Sequence, residues 1–313
     1  SMQRFILAID QGTTGTTALL FDVDLKIHGK ATVEFQQHFP QPSWVEHDLN
    51  EIWDSVGQAV RMALAQSGLN SNVIAAISIT NQRETTCLWH RDSHATPLCR
   101  AIVWQDRRTS ELCRKLKAAG HEKHINKKTG LLLDPYFSAT KLAWMLKNVP
   151  NAQTLARAGK IAFGTIESYL LYRMSGEHKT EPSNASRTLL MNLKTCEWDE
   201  DLLKLFKVPK QILPEIHPSA VLYGQACFEK GTAKCTYGTG AFILANTGKV
   251  PVYSTHRLLT TVAWKIGDEI TYGIEGSAFI AGAAVQWVRD GLGIIHKSSE
   301  IESLAKTVDD SDG

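Results

Sequence analysis

A loop rich in glycine and threonine follows an apolar run near the start of the chain and is suited to binding phosphate. The apolar run is RFILAI at 4–9, and the loop reads DQGTTGTT at 10–17. Glycine lets the backbone approach a ligand closely, the N–H groups of such a turn can converge on an anion, and threonine hydroxyls add donors. Asp10, at the end of the strand, could hold Mg²⁺ through its waters. A plain hairpin turn with a capping aspartate explains the loop equally well.

A second turn of similar composition occurs later, in YGTGAF at 237–242. Gly238, Thr239 and Gly240 could form another phosphate-binding turn, with Phe242 reaching a substrate. Taken alone, this segment could equally be an ordinary hairpin.

Two common nucleotide-binding motifs are absent from the sequence. G-x-x-x-x-G-K-[ST] does not occur, so the loop at 10–17 is not a Walker loop. G-x-G-x-x-G does not occur either, which removes the support for a Rossmann dehydrogenase.

A charged pair, Arg83-Glu84, follows the apolar run VIAAISIT at 73–80, which we predict to be a strand buried on both faces. Open α/β sheets place ligand sites at such strand ends. A guanidinium donates hydrogen bonds and a carboxylate accepts them, so the pair could fix two adjacent hydroxyls of a small polyol. A solvent-exposed ion pair is the alternative interpretation.

Two aromatic residues could form walls of a small pocket beside this pair. Trp104 and Tyr136 each offer an apolar ring for carbon atoms and one polar tip. Taken singly, an aromatic residue of this kind is more often an ordinary core residue.

The hydropathy pattern predicts an α/β fold. We predict strands at 4–9, 18–22, 31–35, 73–80, 101–105, 233–237, 241–246, 258–264 and 269–275. We predict helices at 49–63, 109–119, 139–148, 165–174, 199–206 and within 276–289. Asp48 stands three residues before Glu51, an acidic capping box for the first helix. The opening hairpin is loosely echoed at 235–245, which indicates a duplicated architecture.

The length, charge and cysteine content of the chain argue against several classes of protein. With 313 residues, a prior of ~150 residues per domain gives two domains. A net charge of +2 with mixed acids and bases argues against a dedicated nucleic-acid surface. The six cysteines form no C-x-x-C pair and no secretory signal is evident, so we expect a cytoplasmic protein without structural zinc. No apolar run approaches the ~20 residues that cross a bilayer, so we expect no membrane insertion.

In combination these segments resemble the FGGY family of carbohydrate kinases, and within it the members that phosphorylate glycerol. The matching segments are AIDQGTT at 8–14, WVEHD at 44–48, ITNQRET at 79–85, AIVWQDRRT at 101–109, DPYFSATK at 134–141, NASRTLL at 184–190, TYGTGAF at 236–242, LLTT at 258–261 and EGSAFIAGAAVQWVRDGL at 275–292. The resemblance implies an α/β, ribonuclease H-like (actin-like ATPase) fold with two domains around a central cleft. Residues 1–250 would form the N-terminal domain, holding glycerol and phosphates. Residues 251–313 would begin the nucleotide-binding C-terminal domain, which is only partly represented.

The same resemblance implies ATP-dependent phosphorylation of glycerol to glycerol 3-phosphate, with Mg²⁺, in a cytoplasmic homo-oligomer (dimer or tetramer). Carried over residue by residue, the expected substrate contacts are Arg83, Glu84, Trp104, Tyr136 and Phe242. The expected nucleotide contacts are Thr13, Thr14, Gly15, Thr239, Gly282 and Gln286. Asp10 would help to position Mg²⁺. A kinase for another small polyol or ketose, and a catalytically inactive binding relative, stay open as alternatives.

The chain departs from the family pattern at three places. Thr17 stands where a phosphate-facing arginine is usual. A Gly-Asp-Gln-Gln turn, whose aspartate resembles the general base, is missing where Ala220 runs into Val221, so the catalytic base is unknown. The nearest acid downstream, Glu229, matches no catalytic position. Family members also continue beyond Gly313. Either the natural protein has further residues after Ala220 and Gly313, or it is a truncated, inactive protein. An intact mass of 34.7 kDa would exclude the first explanation.

Overall fold

The structure, a computed structural model, describes residues 4–217 and 229–308 and confirms the α/β prediction. Its strands are β1 (Phe5–Gln11), β2 (Gly15–Asp22), β3 (Ile27–Glu34), β4 (Glu46–His47), β5 (Ile74–Asn81), β6 (Cys87–His90), β7 (Ala101–Ile102), β8 (Ile161–Gly164), β9 (Lys179–Thr180), β10 (Met191–Asn192), β11 (Glu197–Trp198), β12 (Glu215–Ile216), β13 (Ala233–Tyr237), β14 (Ala241–Gly248), β15 (Leu259–Ile266) and β16 (Glu269–Ala278). Its helices are α1 (Leu49–Ser67), α2 (Ser110–Ala118), α3 (Glu122–Thr129), α4 (Ser138–Asn148), α5 (Ala152–Arg157), α6 (Ile166–Ser175), α7 (Pro182–Ala185), α8 (Glu200–Phe206), α9 (Gly282–Asp290) and α10 (Glu300–Ala305). Single 3₁₀ turns lie at Ser71–Val73 and Lys210–Ile212.

The first sheet has the strand order β3-β2-β1-β5 and carries the loop at 12–14 at the end of its central strand. β1, β2 and β3 form an antiparallel meander, and β5 pairs with β1 in parallel. A parallel neighbour needs a crossover connection, and α1 supplies it. The carboxyl ends of β1 and β5 therefore lie side by side, which brings the segment after Asn81 next to the loop after Gln11.

Helix α1 covers this sheet and begins at the residue that the sequence predicts. The Asp48 side chain accepts hydrogen bonds from the backbone N–H groups of Asn50 and Glu51, and Gly68 ends the helix in the left-handed conformation. Its buried residues recur at helical spacing: Leu49, Ile52, Ser55, Val56, Ala59 and Ala63. This apolar stripe fixes α1 on β2 and β3.

The prediction that strand 73–80 is buried on both faces is wrong. Residues 75–78 of β5 are exposed, and Ile77 retains 52% of its accessible surface. The physical reason is that α1 packs on β2 and β3, whereas β5 lies at the edge of the sheet, paired only with β1 within the described chain. The predicted strand at 101–105 is also shorter than expected, since only Ala101 and Ile102 pair, with β4.

The second sheet is antiparallel throughout, in the order β13-β14-β16-β15. Its hairpin β13-β14 repeats the form of β1-β2, with a short Gly-Thr loop between two antiparallel strands. Gly12 N–H donates to Gly15 O at 2.9 Å in the first loop, and Gly238 N–H donates to Gly240 O at 2.9 Å in the second. The echo seen in the sequence is therefore present in the backbone.

Helix α9 follows the second sheet and has no buried residue, and Trp287 on it is 60% exposed. Among the residues that the structure describes, no helix combines the length and apolar character that crossing a bilayer requires.

Candidate functional site

The segment after β5 turns Glu84 into the interior of the protein. Glu84 has a φ of +65°, a left-handed conformation that costs a non-glycine residue free energy. The hydroxyls of Ser138 and Thr86 hold it there, each donating to the Glu84 carbonyl oxygen at 3.0 Å. The side chain is 2% exposed, so the alternative of a solvent-exposed ion pair with Arg83 is wrong.

Two further charged residues complete a buried cluster around this pair. Arg187 Nε donates to Glu84 Oε1 at 2.6 Å, and Arg187 Nη2 donates to Glu275 Oε1 at 2.8 Å. Arg83 Nη2 donates to Glu275 Oε2 at 2.6 Å. Glu275 lies on β16 of the second sheet, so the cluster joins both parts of the chain. Two arginines and two glutamates give a balanced charge, which a buried ionic cluster requires.

Within the cluster, the neighbouring opposite charges favour the ionised forms of Glu275 and Arg83. Burial disfavours the charge of Glu275, but Arg187 and Arg83 more than offset it and lower the pKa of this carboxyl. Burial also opposes the charge of Arg83, yet Glu275 and Glu84 raise the pKa of its guanidinium. The pKa of the Tyr136 hydroxyl is raised, first by burial and then by the nearby Glu84 carboxylate.

Four aromatic rings lie next to the cluster, and the rings and the cluster together are here called the pocket. The Trp104 ring centroid lies 5.8 Å from that of Tyr136 and 6.0 Å from that of Phe242, both in edge-on contact. Phe279 lies 4.8 Å from Tyr136 and 5.9 Å from Trp104. The structure therefore brings together all five predicted substrate-binding residues, and adds Phe279 from the end of β16.

Several polar atoms of this pocket keep unused hydrogen-bonding capacity within the described chain. Glu84 Oε2 and Arg83 Nη1 take part in no hydrogen bond there. The Tyr136 hydroxyl accepts a long bond of 3.4 Å from Arg187 Nη2, which leaves its proton free to donate. One carboxylate acceptor beside two donors, against aromatic rings, suits a small molecule with adjacent hydroxyls on a short carbon chain.

The loop at 12–14 is tied to this pocket by a shared side chain. Trp104 Nε1 donates to Thr13 Oγ1 at 2.8 Å, and Gln37 Nε2 donates to Thr13 O at 3.0 Å. Thr14 and Gly15 are half-buried, and a Cβ on Gly15 would lie 3.0 Å from Val33 O, which favours glycine there. A phosphate on this loop and a polyol on the pocket would thus share the Trp104 ring as a common wall.

A buried histidine contacts the two glutamine side chains that bind the loop at 12–14. His47 Nε2 lies 2.6 Å from Gln37 Oε1, and Gln82 Nε2 lies 3.2 Å from His47 Nδ1. Gln82 Nε2 also donates to Gly12 O at 3.2 Å. These partners assign a neutral ring that donates through Nε2 and accepts at Nδ1. Burial, together with His38, lowers the pKa of His47 to about 3.

We expect His47 to make the protein acid-sensitive. The unfolded chain binds a proton on this ring below its ordinary pKa of 6.5, whereas the native ring does not until the pH reaches about 3. The stability contributed by neutral His47 is therefore full above pH 6.5 and is lost as the pH falls, by about 1.4 kcal/mol per pH unit. Urea unfolding of wild type and His47→Gln between pH 7.5 and 4 should show the wild-type advantage shrinking. The exposed His124→Gln is the matched control, and an advantage that does not change with pH would contradict the assignment.

The second Gly-Thr turn packs against the start of α9. The backbone N–H groups of Ala281 and Ala283 donate to Thr239 O at 2.9 and 3.0 Å, and that of Gly282 donates to Gly238 O at 2.8 Å. A Cβ on Gly282 would lie 2.5 Å from Gly238 O, so this close approach requires glycine. The structure thus places Thr239 beside Gly282, with Gln286 one helical turn further along α9.

Asp10 lies at the end of β1 beside the first loop, opposite Thr17 of β2 and Thr80 of β5. The residue is exposed; partial desolvation of its carboxyl raises the pKa, and Lys234 opposes that rise. Thr17, at the position where an arginine was expected, bonds with the Thr32 hydroxyl at 2.8 Å. The described residues contain no group of three or more side chains arranged to hold a metal ion. A single carboxylate fits Mg²⁺ that is bound mainly by water and phosphate.

A buried lysine organises the loop that carries Tyr136. Lys141 Nζ donates to the carbonyl oxygens of residues 135, 136 and 137 at 2.7, 2.6 and 2.8 Å. The side chain is fully buried in α4. Three carbonyls converging on one ammonium fix the direction in which this loop presents the tyrosine.

Sequence reasoning missed Arg187, Glu275, Phe279 and Lys141 as parts of the site. A usable signal existed for two of them, because Arg187 and Glu275 are single charges within runs of small or apolar residues, NASRTLL and IEGSAF. A lone charge in such a run indicates a buried partner elsewhere in the chain.

Comparison with known proteins places this geometry among related sequences and structures. The sequence model of the N-terminal domain of the FGGY family of carbohydrate kinases matches residues 5–237. The glycerol kinases of Bdellovibrio bacteriovorus and Alkalilimnicola ehrlichii are 51% and 50% identical to the chain, with 100% and 98% of it covered. The chain spans 69% and 68% of those two proteins. A crystal structure of Plasmodium falciparum glycerol kinase with ADP superposes with a TM-score of 0.84 at 33% identity, covering 98% of this chain and 67% of that one.

These alignments also bear on the predicted gap after Ala220. The alignment with the Bdellovibrio protein runs over 342 positions, whereas the chain has 313 residues. That relative therefore has internal residues without a counterpart here. The expected site of the gap, Ala220–Val221, lies outside the described residues.

Proposed function

Because this chain belongs to the FGGY family of carbohydrate kinases, we propose that it transfers the γ-phosphate of ATP to glycerol, giving glycerol 3-phosphate. Its fold is ribonuclease H-like, as in the FGGY sugar kinases of known structure. The observation that carries the proposal is the pocket in which Arg83, Glu84 and Tyr136 keep polar atoms free beside the Trp104 ring.

In this proposal the chain acts mainly by alignment. Arg83 Nη1 and Glu84 Oε2 engage adjacent hydroxyls, while Trp104, Phe242 and Phe279 cover the carbon atoms. The remaining hydroxyl then faces the loop of Thr13, Thr14 and Gly15, which binds the phosphates through backbone N–H groups. Phosphoryl transfer demands little more of a protein than positioning and charge stabilisation.

The second turn would complete the nucleotide site. Thr239 would meet the phosphates, and Gly282 and Gln286 would contact the rest of the nucleotide from α9. Asp10 would hold Mg²⁺ through its waters. The ion would supply neutralisation of the phosphate charge. Aromatic rings on both sides of the pocket would exclude water from the transferring group.

We further propose two domains, a cytoplasmic location and a homo-oligomer. The proposed domains are residues 1–250 and 251–313, and the second sheet spans that boundary, since β14 before it pairs with β16 after it.

A catalytically inactive glycerol-binding relative is the second candidate. It is favoured by the missing Gly-Asp-Gln-Gln turn, since no other carboxylate has been identified to take the proton of the attacking hydroxyl. Loss of such a base costs about a hundredfold or more in rate.

The test measures turnover and binding on the same preparation. ADP release should occur with glycerol and should be weaker with xylulose, ribulose and gluconate. Calorimetry with glycerol and with a non-hydrolysable ATP analogue should show both bind. Binding of glycerol without turnover would support the inactive relative instead, and a preference for another polyol or ketose would refute glycerol as substrate.

A further inference from the structure

Arg187 is the most deeply buried charge of the pocket and lies between its two carboxylates. Its side chain is 0% exposed. Through Nε it binds Glu84 Oε1 at 2.6 Å, and through Nη2 it binds Glu275 Oε1 at 2.8 Å. Each glutamate thus has one oxygen committed to Arg187 and one oxygen facing elsewhere.

The two carboxylate oxygens that do not bind Arg187 have different roles. Glu275 Oε2 accepts from Arg83 Nη2 at 2.6 Å and so sets the orientation of that guanidinium. Glu84 Oε2 has no hydrogen-bond partner among the described residues and is the acceptor that remains for a ligand. The directions of both proposed polyol-binding groups therefore depend on where Arg187 holds the two carboxylates.

We infer that Arg187 is a positioning residue of the glycerol pocket, fixing Glu84 directly and Arg83 through Glu275. The inference rests on the proposed function, because it assumes that these two groups bind the polyol. A planar guanidinium with its donors in a rigid fork fixes the angle between two carboxylates. The ammonium of a lysine is a point charge and cannot fix that angle.

Two aromatic rings next to the Arg187 guanidinium restrict its orientation. Its guanidinium carbon lies 5.5 Å from the Tyr136 ring centroid and 5.3 Å from that of Phe137. The remaining nitrogen of this guanidinium, Nη1, is buried and has no hydrogen-bond partner in the described chain. A buried donor without a partner is unfavourable, so a polar ligand or a water reaching the pocket would relieve that cost.

Charge balance explains why the pocket should respond to the loss of Arg187. Without it, two buried carboxylates would share the single guanidinium of Arg83. Arg83 would then be drawn towards both of them, and Nη1 would no longer be free for a substrate hydroxyl. Access of nucleotide to the loop of Thr13 and Thr14 does not involve any of these contacts.

The test compares Arg187→Lys with Arg108→Lys. Arg108 is the matched control, since its side chain is 1% exposed and is paired with Asp106 at 2.8 Å and Glu46 at 2.9 Å. Calorimetry should show glycerol affinity lowered about ten- to a hundredfold in Arg187→Lys and unchanged in Arg108→Lys. Affinity for a non-hydrolysable ATP analogue should be unchanged in both. Glu275→Gln is the second variant and should also weaken glycerol binding.

The outcomes distinguish a failure of the proposed function from a failure of the inference about Arg187. If wild-type protein binds no glycerol, the proposed function fails, and the inference fails with it. If wild type binds glycerol and Arg187→Lys binds it equally well, only the inference fails. Equal losses of glycerol affinity in Arg187→Lys and Arg108→Lys would indicate a general structural role and would also overturn the inference. Should Arg187→Lys not fold, unchanged glycerol affinity in Glu275→Gln would overturn it.

Discussion

Replacing Glu84 by glutamine should lower kcat/KM for glycerol by about a hundredfold or more. The amide has the same shape, but it leaves Arg187 and Arg83 with one carboxylate between them in a buried site. Breaking a buried ion pair by removing one partner costs about 3–5 kcal/mol. Part of that cost appears as lost stability, and the remainder as lost affinity, because the acceptor facing the polyol becomes a weaker, neutral one.

The measurement is steady-state ADP release against glycerol concentration, with calorimetry for the glycerol dissociation constant. KM for ATP should change little, since the Glu84 side chain bonds to Arg187 and not to the loop at 12–14. Glu46→Gln is the control, because Glu46 also pairs with a buried arginine, Arg108, at 2.9 Å. If Glu84→Gln binds glycerol as tightly as wild type, Glu84 is not a substrate ligand.

Residues of this site could be predicted from the sequence only where the side chains that act together are neighbours in the chain. Arg83 and Glu84 are neighbours after an apolar strand, so their residue types alone suggested paired recognition of hydroxyls. Arg187 and Glu275 lie far from them along the chain, and hydropathy contains no information on which charged residues will meet. Their meeting is a consequence of tertiary packing between α7, β15 and β16.

The same difference between local sequence and tertiary packing explains which predictions about the fold agree with the structure. Strand and helix positions followed from periodicity, which is a local property. The burial of β5 did not, because an edge strand and a central strand can have the same apolar composition. The composition of VIAAISIT is typical of a central strand. Residues 75–78 are nevertheless exposed, and in the described chain no strand pairs with the outer edge of β5.

The loop at 12–14 could be predicted from the sequence only in part. Its composition allowed either a phosphate turn or a plain hairpin, and the hairpin β1-β2 is indeed present. What the structure adds is the bond from Trp104 to Thr13, at 2.8 Å, which makes the loop part of the same wall as the pocket. That contact supports the proposal that a nucleotide and a polyol bind side by side.

Replacing Lys141 by methionine should destabilise the protein by about 3 kcal/mol or more and should weaken glycerol binding. Methionine fills a similar volume but offers no donors, so three carbonyl oxygens at residues 135–137 lose their common partner. Each buried polar group left without a partner costs about 1–3 kcal/mol, less where water enters. The loop would relax, and the Tyr136 ring would leave its place between Trp104 and Phe279.

The control for this variant is Lys147→Met, the same substitution at an exposed position of the same helix, α4. Urea unfolding should show a large loss of stability for Lys141→Met and almost none for Lys147→Met. Calorimetry well below the unfolding transition should then show weaker glycerol binding in Lys141→Met only, since folded molecules still contain a displaced Tyr136. Since the hydrogen bonds that Lys141 Nζ makes in the described chain go to the backbone of this loop, a loss of stability with unchanged glycerol affinity would mean that Tyr136 keeps its position without the ammonium.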